Sequence, residues 1–277
     1  VTVREAAPYL GGRLHTRTER LRPGTFRVEH GLHMWFHQYY CFADILTRLG
    51  VDNRFRPFEE VYFEFKTYKP EVIRSNGPYP LNLMGILKDS PNLNLLDAAG
   101  TFGAIGDIIF YDHDSNFRRF DDETFEAWGR RTRVDRTFWD IIMEPAASVT
   151  LNSKSRISAA EMLLYMHLFF IGHPKAFRRR VTTTDHGTAV IDPWAARLQS
   201  LGAAIQLAAP VPGLRIEGGR AVGVVGEASR YDHVVLAADV PGVRRILEGS
   251  QPFDDTSARA LSGVRSFVRG LGIAPPY

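Results

Sequence analysis

The sequence predicts an α/β protein in which both ends of the chain build one discontinuous domain and an aromatic-rich middle builds a second, mixed one. Three observations predict it. The chain opens on a short β-branched strand, VTVRE at 1–5. Its last third reads as helix then strand (VIDPWAARLQSLGAAIQL), hairpin (LRIEGGRAVGVV) and buried strand (YDHVVLAAD, ending in Asp239). Between these lie aromatic, strand-like text at 55–85 and helical text beyond it. The expected division is 1–55 with 180–248, and 56–179 with 249–277.

Taken in order, residues 31–49 predict an amphipathic helix ending at Gly50, because Leu32, Trp35, Phe36, Tyr39, Phe42, Ile45, Leu46 and Leu49 recur at helical spacing. VYFEF and NGPYPLNL follow, with turn signals at Asn76-Gly77-Pro78. Residues 86–111 and 121–143 read as helical stretches; in FDDETFEAWGRRT carboxylates precede arginines, as the helix dipole favours. Ser158 and Glu161 stand as N-cap and N3 of an apolar helix, SRISAAEMLLYMHLFF. The later hairpin turns at Gly218-Gly219.

Composition narrows the function classes. A chain of 277 residues, 44% hydrophobic and 23% charged, is globular, with room for one large or two interleaved domains. The net charge of +3 is dispersed, with tight basic clusters only at 130–133 and 178–180, which excludes a nucleic-acid footprint. One cysteine, Cys41, excludes a disulfide framework and favours a cytoplasmic setting. No signal-peptide pattern opens the chain. The apolar run at 162–172 is about half a membrane span. It reads as a buried core helix or as an apolar surface patch, flanked by Lys175 and Arg178 to Arg180.

The chemistry concentrates in EAAPYLGGRLHT at 5–16. Gly11-Gly12-Arg13 reads either as an ordinary tight turn or as a place where backbone N–H groups approach an anion. In a dinucleotide-binding βαβ unit the second strand ends in an acid that accepts from ribose hydroxyls, and Glu5 closes VTVRE in that position. His30, His33 and His37 form H-x-x-H-x-x-x-H, which a helix would present on one side. Metal-ligating, site-lining and structural readings are all open; no E-x-x-H partner helix accompanies them, and no metal is assigned.

VTVREAAPYLGGRLHT resembles the segment after the first βαβ turn in FAD enzymes of the amine oxidase and phytoene desaturase superfamily. The likeness continues in order through the His30-Gly31 pair, GTAVIDPWAARLQSLGAAIQLAAPV and LRIEGGRAVGVV to YDHVVLAAD. EHGLHMWFHQYYCFADILTRLGV is most similar to carotenoid desaturases, particularly the β-carotene desaturase/methyltransferase type that makes aromatic end rings. The resemblance implies an FAD/NAD(P)-binding Rossmann-like fold, discontinuous, with an inserted substrate domain. It assigns FAD as cofactor, with Glu5 at the ribose, Gly11, Gly12 and Arg13 at the pyrophosphate, Val211 at the adenine, and His30-Gly31 beside the isoalloxazine.

The resemblance further implies desaturation of an apolar polyisoprenoid by hydride transfer, with His33 and Glu29 as candidate catalytic residues. Trp35, Phe36, Tyr39, Tyr40, Tyr62, Phe63, Phe65, Phe169 and Phe170 are candidates for an apolar substrate channel or for plain core. Peripheral membrane association follows from such a substrate. Members of this group carry a glycine loop upstream and a Gly-Asp motif downstream; without them the present chain is expected to be a piece that holds FAD weakly or not at all. The open alternatives are a flavin amine oxidase, a squalene or hopanoid-pathway oxidoreductase, a carotene isomerase, and an isoprenoid-binding module without flavin.

Overall fold

The computed structural model describes residues 1–74, 81–94 and 101–272, the side chains of 81–84 and 102 excepted. The turn signals at Asn76-Gly77-Pro78 lie outside the described residues. The chain forms two compact units, Val1–His15 with Trp194–Tyr277, and Thr16–Pro193.

In the terminal unit, strand β1 (Thr2–Arg4) pairs in parallel with β9 (Ala204–Gln206), matching Val3 to Ile205. This is the helix–strand return read from the sequence, since the Asp192–Ser200 helix immediately precedes β9. β10 (Leu214–Glu217) and β11 (Arg220–Val224) form the expected hairpin. Gly218 (φ 56°) and Gly219 (φ 76°) supply the two left-handed positions that its tight turn demands. β12 (Gln251–Pro252) adds to β10 in parallel. The Val240–Glu248 and Asp255–Gly270 helices close a small core on Leu214, Ile216, Leu247, Leu261 and Val268.

YDHVVLAAD does not form the expected buried strand: no ladder pairs it among the described residues. Only Val234 and Leu236 reach the small core, while Val235 is 84% exposed. An apolar extended segment becomes a strand only when a neighbour takes its backbone groups, and hydrophobicity cannot show that neighbour. Asp239 instead caps the next helix, accepting from Gly242 N–H at 2.8 Å.

In the middle unit, β2 (Arg17–Leu21) and β3 (Gly24–Val28) form a hairpin. β8 (Arg179–Thr182) lies between β4 (Trp35–Phe36) and β5 (Phe55–Pro57). β6 (Glu60–Phe63) pairs with β7 (Glu71–Arg74). These pairings tie residues 17–57 to 179–182, and the Asp255–Gly270 helix packs on the other core. The compact units divide at 15/16 and 193/194; the sequence reading set its boundaries at 55/56, 179/180 and 248/249.

The helix expected over 31–49 spans only Tyr40–Leu49. Its first half is drawn off by long-range pairing, Trp35 opposite Arg180 and Phe36 opposite Arg179, after a turn at Gly31 (φ 116°). A local 3.6-residue pattern cannot register a partner more than a hundred residues away. The helical layer behaves closer to expectation. Thr124 caps Phe125–Arg131 by accepting from Ala127 N–H, and Ser158 caps Ala159–Met166 by accepting from Ala160 and Glu161 N–H. Phe120, Phe125, Trp128, Ile141, Met143, Met162 and Leu163 form the main core, all at most 2% exposed. Met162, Leu163 and Met166 are thus core, and of the apolar run they leave Leu168 outward at 42% exposure.

Candidate active site

The chain's two units each hold a cluster of candidate site residues. In the terminal unit, Glu5 directly follows β1, and its N–H extends the parallel ladder to Gln206 O at 2.9 Å. One carboxylate oxygen, Oε1, accepts from Ala7 N–H at 2.7 Å. The other has no protein donor among the described residues. Gly11 (φ 105°) and Gly12 (φ 52°) turn the chain into a single 3-10 turn, Gly12–Leu14. Both glycines use the left-handed region, and no atom lies within 4 Å of where a Gly12 Cβ would stand. The Tyr9 and His15 rings stack across this turn at 3.7 Å. Arg13 is exposed and unpaired among the described residues.

Those features suit one half of a dinucleotide site. A free carboxylate oxygen can accept from ribose hydroxyls, an open glycine turn admits an anion to the backbone, and an unpaired guanidinium supplies bidentate donors. Val211 lies in the connection between β9 and β10, half-buried on the small core, and not on a returning strand. Pro210 and Pro212 on either side of Val211, with Gly213 after them, are the signal that could have shown this, since proline cannot donate to a strand ladder.

In the middle unit the β2–β3 hairpin sets Thr16 and Glu29 opposite one another, just outside the Arg17–Val28 pair. Thr16 Oγ1 donates to Glu29 Oε1 at 3.2 Å. From far along the chain, His186 N–H donates to the same oxygen at 2.6 Å, and the His186 ring donates to it through Nδ1. Gly187 N–H donates to Thr16 Oγ1 at 3.0 Å and completes the bracket. A Cβ on Gly187 would stand 3.0 Å from Asp185 Oδ1 and 3.1 Å from Arg27 Nη2, so a side chain there would crowd the cluster.

A second clamp backs the first. Arg27 Nη2 lies 2.8 Å from Asp185 Oδ1, and Thr188 donates to Asp185 through its N–H (3.0 Å) and hydroxyl (2.9 Å). Burial pushes the Asp185 carboxyl upward, but hydrogen bonds from Arg27 and Thr188 outweigh it and hold the group well below the carboxylate range. Its stabilising contribution is therefore complete above the unfolded value of about 3.9 and is lost as pH falls towards the folded one. Asp185→Asn is expected to cost about 1–3 kcal/mol at neutral pH. Urea titrations at neutral pH and at about pH 3 should show the gap to wild type narrowing in acid.

The structure brings Glu29 and His33 together through a residue that sequence reasoning missed, His186. The His33 ring meets the His186 ring edge-on at 5.0 Å, with Nδ1 3.2 Å from Gly31 O. Trp35 lies 6.1 Å from the same imidazole. His186 is only 3% exposed, and its Nε2 and the Trp35 Nε1 are buried without hydrogen-bond partners among the described residues. The sequence signal for His186 was a lone histidine in TTDHGT, indistinguishable from a loop residue.

At Glu29, named with His33 as a candidate catalytic residue, three donors converge on one carboxylate oxygen. His30 and Gly31 are exposed. His30, His33 and His37 do not share a helix face, because residues 30–37 are turn and strand. His37 stacks on His173 at 5.0 Å, and burial, then His173, pushes its imidazole down. Among the described residues no three His, Cys, Asp or Glu side chains are placed to hold a metal ion.

Beside the cluster runs an aromatic seam. Trp35 stacks on Phe42 at 4.2 Å, Phe36 meets Phe169 at 4.6 Å, and Tyr165 meets Phe169 at 4.7 Å. Burial pushes the Tyr165 hydroxyl up to about 12. Tyr40 and Tyr62 turn outward at 57% and 69% exposure, so neither belongs to a seam of this kind.

Comparison with known proteins gives the family. Residues 1–268 match the family model described as flavin containing amine oxidoreductase. The carotenoid phi-ring synthase of Chlorobaculum tepidum is 28% identical over 229 residues, 81% of this chain and 35% of that protein. The carotenoid phi-ring synthase of Streptomyces griseus is 25% identical over 284 residues, 100% of this chain and 54% of that protein. The chain thus spans roughly a third to a half of these relatives. A double mutant of putrescine oxidase shares the fold with a TM-score of 0.61 at 17% identity, covering 94% of this chain and 57% of that one. With the match running over residues 1–268, the chain belongs to the flavin-containing amine oxidoreductase family, an α/β fold whose cofactor is FAD.

Proposed function

We propose that the protein is an FAD-dependent oxidoreductase that desaturates a carotenoid or related polyisoprenoid. The observation that carries this reading is that both curated relatives are carotenoid phi-ring synthases. The Trp35–Phe42 and Phe36–Phe169–Tyr165 seam supports it, since a long apolar polyene is bound by aromatic faces with few polar groups.

In this reading the terminal unit is the cofactor domain and the middle unit the substrate domain. Glu5 accepts from the ribose hydroxyls, the Gly11 and Gly12 backbone and Arg13 meet the pyrophosphate, and Val211 offers backbone contact to the adenine. His30-Gly31 lies towards the isoalloxazine. Bound FAD supplies a hydride acceptor for an allylic C–H bond. The aromatic seam orients the polyene and excludes water, and the Glu29–His33 neighbourhood takes up the proton. Among the described residues no helix is long and apolar enough to cross a membrane. Exposed Phe110 (83%), Ile109 (44%) and Leu168 (42%) provide apolar surface for contact with a bilayer that stores such substrates.

Anaerobic mixing of the FAD-loaded protein with a carotene in liposomes is expected to bleach the oxidised flavin band. Putrescine offered in the same assay is expected to leave it unchanged. Bleaching by the amine alone would assign the protein to amine oxidation, and polyene binding with no flavin band at all would make it a binding module.

A further inference from the structure

We propose that His186 is the catalytic base of this site, taking the substrate proton on Nε2 while Glu29 fixes its tautomer; the inference rests on the oxidoreductase reading above. The geometry argues for it in three ways. First, the imidazole is oriented. Glu29 Oε1 receives the Nδ1–H, which in the neutral ring leaves Nε2 with its lone pair as an acceptor. Second, Glu29 is itself held. Thr16 Oγ1 and His186 N–H both donate to the same carboxylate oxygen, and Gly187 N–H donates to Thr16, so the carboxylate cannot rotate away from the ring.

Third, Nε2 is buried in a residue 3% exposed, yet no group among the described residues donates to it or accepts from it. A histidine kept only for packing normally has both nitrogens satisfied, because an unpaired buried polar atom is costly. Trp35 Nε1 is likewise unpaired, on a ring 6.1 Å away. The half-buried His33 ring meets the imidazole edge-on at 5.0 Å, and the proposal requires this ring to move aside for substrate to reach Nε2. The charged neighbours are Glu29 and, on the same two segments, the Arg27–Asp185 pair.

The step balances. Desaturation removes two hydrogens from adjacent carbons. One C–H bond gives up its hydrogen with the electron pair, as hydride, to FAD. The neighbouring C–H bond breaks heterolytically; its pair becomes the new C=C bond, and its proton passes to His186 Nε2. The resulting imidazolium faces the Glu29 carboxylate, which stabilises the charge, as the acid of a Ser-His-Asp triad does. His33, whose ring has only the Gly31 carbonyl as partner, lacks any such counter-charge.

The test uses the FAD-loaded protein with a carotene in liposomes, followed at steady state with an added artificial electron acceptor. His186→Gln should keep the bound-flavin spectrum and the substrate KM while kcat falls by about 10²–10⁴-fold. Added imidazole should restore part of the rate in His186→Gly. Glu29→Gln should lower kcat with KM unchanged. Nitrogen-15 NMR of the imidazoles, with no substrate present, should show His186 as the Nδ1–H tautomer in wild type and as a mixture in Glu29→Gln. A folded His186→Gln that retains kcat within about threefold overturns the proposal. So does an Nε2–H tautomer in wild type. Failure of wild type to reduce its flavin with any polyene overturns the oxidoreductase reading, and this proposal with it.

Discussion

Trp128→Ala is expected to destabilise the middle unit by about 3–5 kcal/mol, read as a shift in the urea midpoint. Trp128 has no exposed surface and stacks on Phe125 with ring centroids 5.5 Å apart. Its indole N–H donates to Asp107 Oδ2 at 3.1 Å, so truncation removes apolar contact and strands a carboxylate partner together. The surroundings cannot collapse cheaply onto the gap. On the next residue, a Cβ at Gly129 would already fall 2.2 Å from Trp139 Cζ3, which shows how closely that ring is seated. Phe26→Ala serves as the control. That ring is 43% exposed, and its loss is expected to move stability by less than about 0.5 kcal/mol. Equal effects from the two would show that the Phe120–Phe125–Trp128 cluster is not the core of this unit.

The second large effect is on cofactor binding. Glu5→Ala is expected to weaken FAD binding by about 10–100-fold, measured by titrating flavin fluorescence against the protein. Hydrogen bonds from ribose hydroxyls to an ionised acceptor contribute more than neutral ones, about 1.5–3 kcal/mol in all, and alanine cannot replace them. The fold should survive. The Glu5 N–H to Gln206 O bond that extends the β1–β9 ladder is a backbone bond, and only the bond from Ala7 N–H to the side chain is lost. Unchanged affinity in a folded Glu5→Ala protein would remove Glu5 from the ribose and leave it a turn residue.

Much of the architecture was legible because local rules carry it. The helix–strand unit before β9, the hairpin at Gly218-Gly219 and the caps at Thr124 and Ser158 each depend on residues within a few positions. Cap, turn and period are short-range physics, so composition at those positions is sufficient. The failures were long-range. Residues 31–39 satisfy a helical period, yet Trp35 and Phe36 pair with Arg180 and Arg179. YDHVVLAAD is apolar enough for a central strand, yet among the described residues no strand pairs with it.

The candidate site shows the same divide. VTVRE followed by Gly11-Gly12-Arg13 is a contiguous stretch, so an acid after a strand and a left-handed glycine turn could be read directly from it. The sequence by itself determined that strand end and glycine turn, and it named Glu29 and His33 as candidates. Only the tertiary structure decided what Glu29 does. It brings His186, 157 positions away, onto the Glu29 carboxylate, and Gly187 onto Thr16. Hydrogen bonds of this reach leave no periodicity and no spacing in the chain, because loop closure restricts contacts between distant residues only weakly. The packing of the β2–β3 hairpin against the 185–188 segment turned a lone histidine into an oriented, buried imidazole.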